Sequence, residues 1–167
     1  HGAVVPPLYL STTYSFADFD KKRAYDYGRS GNPTRDILAE TLAELEGGEK
    51  GIITATGMAA VHLITQLLSS KDTLVIPHDC YGGSYRLFTS LEKRGLLKLK
   101  IVNFTLDASF DEILNIKPKV IWIETPSNPL LRLTDISKVV ATAKQCGALV
   151  AADNTFLSPA LQNPLEL

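Results

Sequence analysis

The sequence predicts an α/β fold: a mostly parallel sheet sandwiched by helices and preceded by an extended N-terminal arm. Three observations carry that prediction. Short apolar runs alternate along the chain with segments of helical spacing. The runs are too uniformly apolar to leave one face in water, as a parallel sheet covered on both sides requires. The first thirty residues, with a Pro pair, many aromatics and no sustained period, share neither pattern. With 167 residues and 45% hydrophobic content, the chain can bury one sizeable core.

The elements follow in order. Asn32-Pro33 supplies an N-cap and a first-turn proline. Ile37, Leu38, Leu42 and Leu45 then fall at helical spacing, and Gly47-Gly48 ends the helix. Gly51–Thr56 (GIITAT) reads as a strand and Met58–Leu68 as a largely apolar, buried helix. Thr73–Pro77 is the next strand and Ser84–Arg94 the next helix, stopped by Gly95. Leu99–Phe104 is a third strand, and Ser109 and Glu112 have capping-box spacing for a short helix. Val120–Glu124 is a fourth strand, Asp135–Gln145 a helix ended by Gly147, and Ala148–Asp153 a fifth strand. The organisation expected is an arm over residues 1–31 and an α/β domain over residues 32–167.

Composition excludes several function classes. A formal net charge of −1 gives no footprint for nucleic acid or an anionic membrane. The apolar runs are far shorter than a bilayer span, and His1–Pro7 lacks the pattern of a secretory leader. Cys80 and Cys146 form neither a disulfide framework nor a metal-ligand spacing, so reduced thiols, a cytoplasmic setting and no metal are expected.

Ligands of parallel sheets bind beyond the carboxyl ends of the strands, and the chemically informative residues lie there. Thr56-Gly57-Met58 turns directly into a helix, whose free N–H groups and positive dipole end suit a phosphate; tight connection chemistry explains the same turn. The sequence has no GxxxxGK[ST] and no GxGxxG, which disfavours a generic nucleotide binder. Tyr81, with Gly82 and Gly83 leaving room beside it, can stack on a planar ligand or simply cover a core edge. Asn128 offers a donor and acceptors, or serves the turn. His62, on an apolar helix, reads as a satisfied core residue. The run VAADNTFLSP ends a buried strand on Asp153, whose carboxylate needs a partner. A pyridinium nitrogen would meet that need, as would a helix N–H or a nearby cation. A planar phosphorylated cofactor with a basic ring nitrogen, pyridoxal 5′-phosphate, would use the cradle, the ring, the amide and the carboxylate together.

The stretches AYDYGRSGNPTRDILAETLAELEGG, TGMAAVHL, HDCYGGSYRLF, ETPSNPLLR and ADNTFLSPALQNPLEL resemble the Cys/Met-metabolism group of fold-type I pyridoxal-phosphate enzymes. The resemblance covers nearly the whole chain and implies an incomplete large domain of that fold. It implies backbone N–H groups of Gly57 and Met58 on the cofactor phosphate, with Tyr27 and Arg29 reaching that phosphate from a neighbouring subunit. It places Tyr81 on the ring face, Asn128 on the 3-hydroxyl side and Asp153 on the ring nitrogen. Thr155 joins the cofactor-binding candidates, and Asp26 is a weaker candidate for substrate contact. Asp153, Tyr81 and Tyr27 are the catalytic candidates; a surface salt bridge is the other reading of Arg29.

The activity implied is replacement of the γ-substituent of an O-acylhomoserine by cysteine, giving cystathionine for methionine biosynthesis. Lyase and sulfhydrylase activities of the same group are the alternative. A homodimer or homotetramer sharing its active sites is implied as well. The lysine that carries the cofactor lies, by the same resemblance, on a Ser-x-Thr-Lys loop after the segment matching Asn163–Leu167, so the chain as given is expected to be an inactive fragment. His1 is expected to continue from a longer N-terminus.

Overall fold

The computed structural model describes residues 2–167; His1, with the expectation attached to it, lies outside the described residues. The chain forms two compact units, residues 1–53 and residues 54–167.

In the first unit the arm folds back on itself. Tyr14 N–H donates to Asp26 O at 3.0 Å and Gly28 N–H to Thr12 O at 2.7 Å, around a Thr13–Tyr27 antiparallel bridge. The helix α1, Pro33–Glu46, starts where the sequence predicts: Asn32 is the N-cap and its side chain accepts from Thr34 N–H. Gly47 closes it in the left-handed region at φ 68°, which glycine enters without a Cβ penalty. The Asn32 amide also donates to Tyr9 O, and Tyr9 N–H donates to the Thr34 hydroxyl, so the capping turn holds the arm. Gly51 packs so closely on α1 that a Cβ would stand 2.3 Å from Ala39 O.

The predicted strand over Gly51–Thr56 does not form. A strand exists only where a neighbour completes its ladder; this segment has no such neighbour among the described residues, and Ile52 is 75% exposed. Its glycine serves the approach to α1 and its threonines begin the next helix.

The second unit is built on four parallel strands: β1 Thr73–Pro77, β2 Lys98–Val102, β3 Val120–Glu124 and β4 Leu149–Asp153, in the order β2-β1-β3-β4. Helices α2 Gly57–Thr65, α3 Gly82–Lys93, α4 Ala108–Ile116 and α5 Ile136–Cys146 alternate with them, followed by the short α6, Ser158–Leu161. Alternate residues of each strand face opposite layers. Leu74, Ile76, Val120 and Trp122 pack with Val61, Phe88 and Leu91 from α2 and α3. Val75, Ile121 and Ile123 pack with Phe110, Ile113, Ile136 and Val139 from α4 and α5. Each fully buried aliphatic or Phe side chain contributes roughly 1.5–3 kcal/mol, so these two layers hold the strand ends in place.

Two further expectations are corrected. The capping box of Ser109 and Glu112 is absent: α4 begins after Asp107, the Ser109 hydroxyl donates to Asn103 O, and Glu112 pairs with Lys100. His62 is exposed rather than in the core, beside the Gln66 amide, and on α2 only Val61 and Thr65 are buried.

Candidate functional site

The strand order reverses direction between β1 and β3: from β1 the chain crosses to β2 on one side, then returns to β3 on the other. That switch point, at the carboxyl ends of the strands, is where an open parallel sheet leaves a crevice. The loop after β1 carries Tyr81, and β3 ends on Glu124. Tyr81 N–H donates to Glu124 Oε2 at 2.6 Å and closes the gap between them.

The helix α2 opens on the same layer. Its N-cap, Thr56, takes the Ala59 N–H on its hydroxyl. The N–H groups of Gly57 and Met58 have no acceptor within the helix, as for any helix start, and a Cβ on Gly57 would meet nothing within 4 Å. Met58 and Tyr81 converge on Gly83, where an added Cβ would lie 2.4 Å from a Tyr81 ring carbon and 2.9 Å from the Met58 sulfur. The room that the sequence assigned to the glycines is thus real at Gly83. Tyr81 is 48% exposed, so part of it is accessible from outside the sheet.

Asn128 follows Ser127 in the loop after β3, which contains two cis X-Pro bonds. Ser127 is buried; its hydroxyl donates to Asp79 Oδ2 at 2.8 Å, which ties this loop to the one bearing Tyr81. Arg132 strengthens the tie by donating to His78 Nε2 at 2.7 Å. The Asn128 side chain is exposed beside this anchor.

Asp153 ends β4 in register with Glu124. It is half-buried rather than buried as the sequence suggested, because β4 lies at the edge of the described sheet. Within the chain, one of its oxygens, Oδ1, accepts from the Thr155 N–H at 3.0 Å and from the Thr155 hydroxyl. No Lys or Arg among the described residues pairs with it. Thr155, a candidate for cofactor contact, spends its hydroxyl on orienting Asp153.

Sequence reasoning missed Glu124. It is 5% exposed, accepts from Tyr81 N–H and, at 3.1 Å, from Trp122 Nε1–H. Burial pushes its carboxyl above the ordinary range, against the lowering pull of those two donors, with the charges of Asp153 and Asp79 adding to the rise. The signal was available, since VIWIE ends an apolar run on a carboxylate just as ALVAAD does. Cys80, nearby, is pushed up to about 12 chiefly by burial, so its thiol stays protonated and unreactive.

In the first unit, Tyr27 and Arg29 form a pair of their own. Arg29 Nη2 donates to the Tyr27 hydroxyl at 3.0 Å, and its guanidinium lies 5.2 Å from the ring centre. Arg35, also missed, donates to Gly28 O and Arg29 O and fixes this turn. No carboxylate neutralises Arg29 among the described residues, so the surface salt bridge weighed for it does not form. Asp26 is already engaged: Lys22, the Ser30 hydroxyl and the Tyr27 N–H all serve its carboxylate and hold it down to about 2, with the Lys22 hydrogen bond the largest cause.

The family model for Cys/Met metabolism PLP-dependent enzymes matches residues 1–167. Cystathionine gamma-synthase of Escherichia coli is 54% identical over 168 aligned residues, which cover 100% of this chain and 44% of that protein. A cystathionine beta-lyase of Coxiella burnetii is 42% identical, over 99% of this chain and 43% of that protein. The crystal structure of cystathionine gamma synthase from Xanthomonas oryzae pv. oryzae, in complex with aminoacrylate and cysteine, matches with a TM-score of 0.95 and 56% identity. That match covers 99% of this chain and 43% of the other. The chain spans less than half the length of these relatives.

Proposed function

We propose, for a chain that belongs to the Cys/Met-metabolism family of PLP-dependent enzymes, that it forms the cofactor-binding part of a cystathionine γ-synthase-like enzyme. The observation that supports this reading is the 54% and 56% identity to two γ-synthases, against 43% and 42% to two β-lyases, while a further γ-synthase shares 38%. The reaction would exchange the γ-substituent of an O-acylhomoserine for the sulfur of cysteine and release cystathionine.

The strand ends fit the cofactor. A phosphate needs free N–H groups with room beside them; Gly57 and Met58 begin α2 at its positive end, and a Cβ on Gly57 would meet nothing within 4 Å. A pyridine ring needs an exposed aromatic face, and half of Tyr81 is exposed. Its basic nitrogen needs an anion with a free lone pair, and Asp153 has one oxygen unused by Thr155. Asn128 would take the 3-hydroxyl side. Once bound, such a ring acts as an electron sink for substrate carbanions. Asp153 would hold the proton at the ring nitrogen, while Thr155 keeps the carboxylate turned toward it. The Tyr27–Arg29 pair would grip the phosphate from a neighbouring subunit of a homodimer or homotetramer, since a guanidinium fork matches phosphate oxygens. Asp26 is a weak candidate for substrate contact because its carboxylate is already saturated.

The lysine that carries the cofactor and the arginine for the substrate carboxylate would come from residues beyond these. The unpaired thiols of Cys80 and Cys146 support a reducing, cytoplasmic setting. Among the described residues no helix is long and apolar enough to cross a membrane. Product analysis of the full-length enzyme tests the reading. Cystathionine formed from an O-acylhomoserine plus cysteine is the expected result, and breakdown of cystathionine without synthesis would assign a lyase instead.

A further inference from the structure

We infer that Glu124 is a positioning residue of the cofactor site, a buried fork that fixes Tyr81 where its ring must meet the ligand. The inference rests on the site reading given above.

The geometry is specific. Glu124 Oε2 holds the Tyr81 N–H and Oε1 holds the Trp122 indole N–H. Trp122 is itself fixed, 4% exposed and packed edge-on against Phe88 of α3 at 5.6 Å between ring centres. Tyr81 is the residue before α3 and has no side-chain cap, so its backbone direction depends on this bond and on the Tyr85 N–H that its carbonyl accepts. Gly83 lets the ring lie against the backbone from the other side. The chain of contacts Phe88–Trp122–Glu124–Tyr81 carries the rigidity of the core to a ring that is itself half-exposed.

A carboxylate is costly to bury beside Asp153 and Asp79, and nothing cationic offsets it among the described residues. The fold alone would be served more cheaply by apolar packing. Two converging N–H donors, however, demand acceptors on both arms, and only a carboxylate has them; a glutamine would turn an NH₂ toward one donor. The cost falls at the switch point, where the ligand binds.

Glu124→Gln in the full-length enzyme is the test, read by the dissociation constant of pyridoxal 5′-phosphate and by the visible circular dichroism of the bound ring. Losing part of an aromatic contact should weaken cofactor binding roughly two- to tenfold and reduce the dichroic band. In a Tyr81→Ala background the same change should add nothing, because Glu124 acts through Tyr81. Folded Glu124→Gln protein with unchanged affinity and dichroism, beside an impaired Tyr81→Ala, overturns the inference alone. Additive losses also overturn it. An unimpaired Tyr81→Ala overturns the site reading and the fork with it. Should Glu124→Gln fail to fold, Trp122→Phe keeps the carboxylate and removes one donor. A smaller loss of affinity in the same direction supports the fork, and no loss overturns it.

Discussion

Glu124 and Asp153 end neighbouring parallel strands in the same register, yet they stand in opposite conditions. Glu124 is closed in, with a donor on each oxygen. Asp153 is half-open, with its Thr155 donors both on one oxygen and no donor on the other among the described residues. A carboxylate at the end of a strand can therefore be part of the frame or face a ligand. What separates the two is which donors the chain itself brings and how far each carboxylate is closed off from water.

The contrast is broken most sharply by truncating each residue. Asp153→Ala should lower turnover of the full-length enzyme by about 10²-fold or more, with little change in its denaturation midpoint. Glu124→Ala should do the reverse in stability, costing about 1–3 kcal/mol for each donor left unpaired in the interior. Urea denaturation and steady-state kinetics on both variants check this; equal stability losses would erase the distinction.

Gly83→Ala sharpens the comparison from the other side of Tyr81. Its Cβ would stand 2.4 Å from the ring, so either the ring or the start of α3 must move. We expect a loss of about 1–3 kcal/mol, together with weaker cofactor binding. A variant with normal stability and normal affinity would show that the ring position is not fixed.

The smallest effect is in pH dependence. Burial raises Glu124, so the folded state keeps its proton to a higher pH than the unfolded chain does. Below the ordinary carboxylate value of about 4.3 both states are protonated and the difference vanishes. As pH rises from there through the folded value, the unfolded chain releases its proton first and stability is lost. Wild type should therefore lose stability relative to Glu124→Gln with rising pH in that window, as measured by denaturation at a series of pH values. A constant difference would deny the burial effect.

Much of the frame was legible because burial writes itself into short apolar runs. TLVIP, VIWIE and ALVAAD became strands, and Asn32-Pro33 with Gly47 bounded α1 as predicted. GIITAT is likewise short, with two isoleucines, yet forms no strand, because pairing depends on a neighbour that composition does not supply. The positions of the candidate residues were legible, since Tyr81 and Asn128 follow strands, Asp153 ends one and Gly57 starts a helix. Its internal wiring was not. The Tyr81–Glu124 bond joins residues 43 apart, and the saturation of Asp26 by Lys22, Ser30 and the Tyr27 N–H depends on how the arm folds back. His62 sits among apolar neighbours in sequence and on the exposed side of α2 in space.

The role of Asp153 is tested most directly by nitrogen-15 NMR of the full-length enzyme loaded with ring-labelled pyridoxal 5′-phosphate, wild type against Asp153→Asn. A protonated ring nitrogen in wild type and an unprotonated one in the variant is the result expected. The same nitrogen shift in both would mean that something other than the pyridinium meets Asp153.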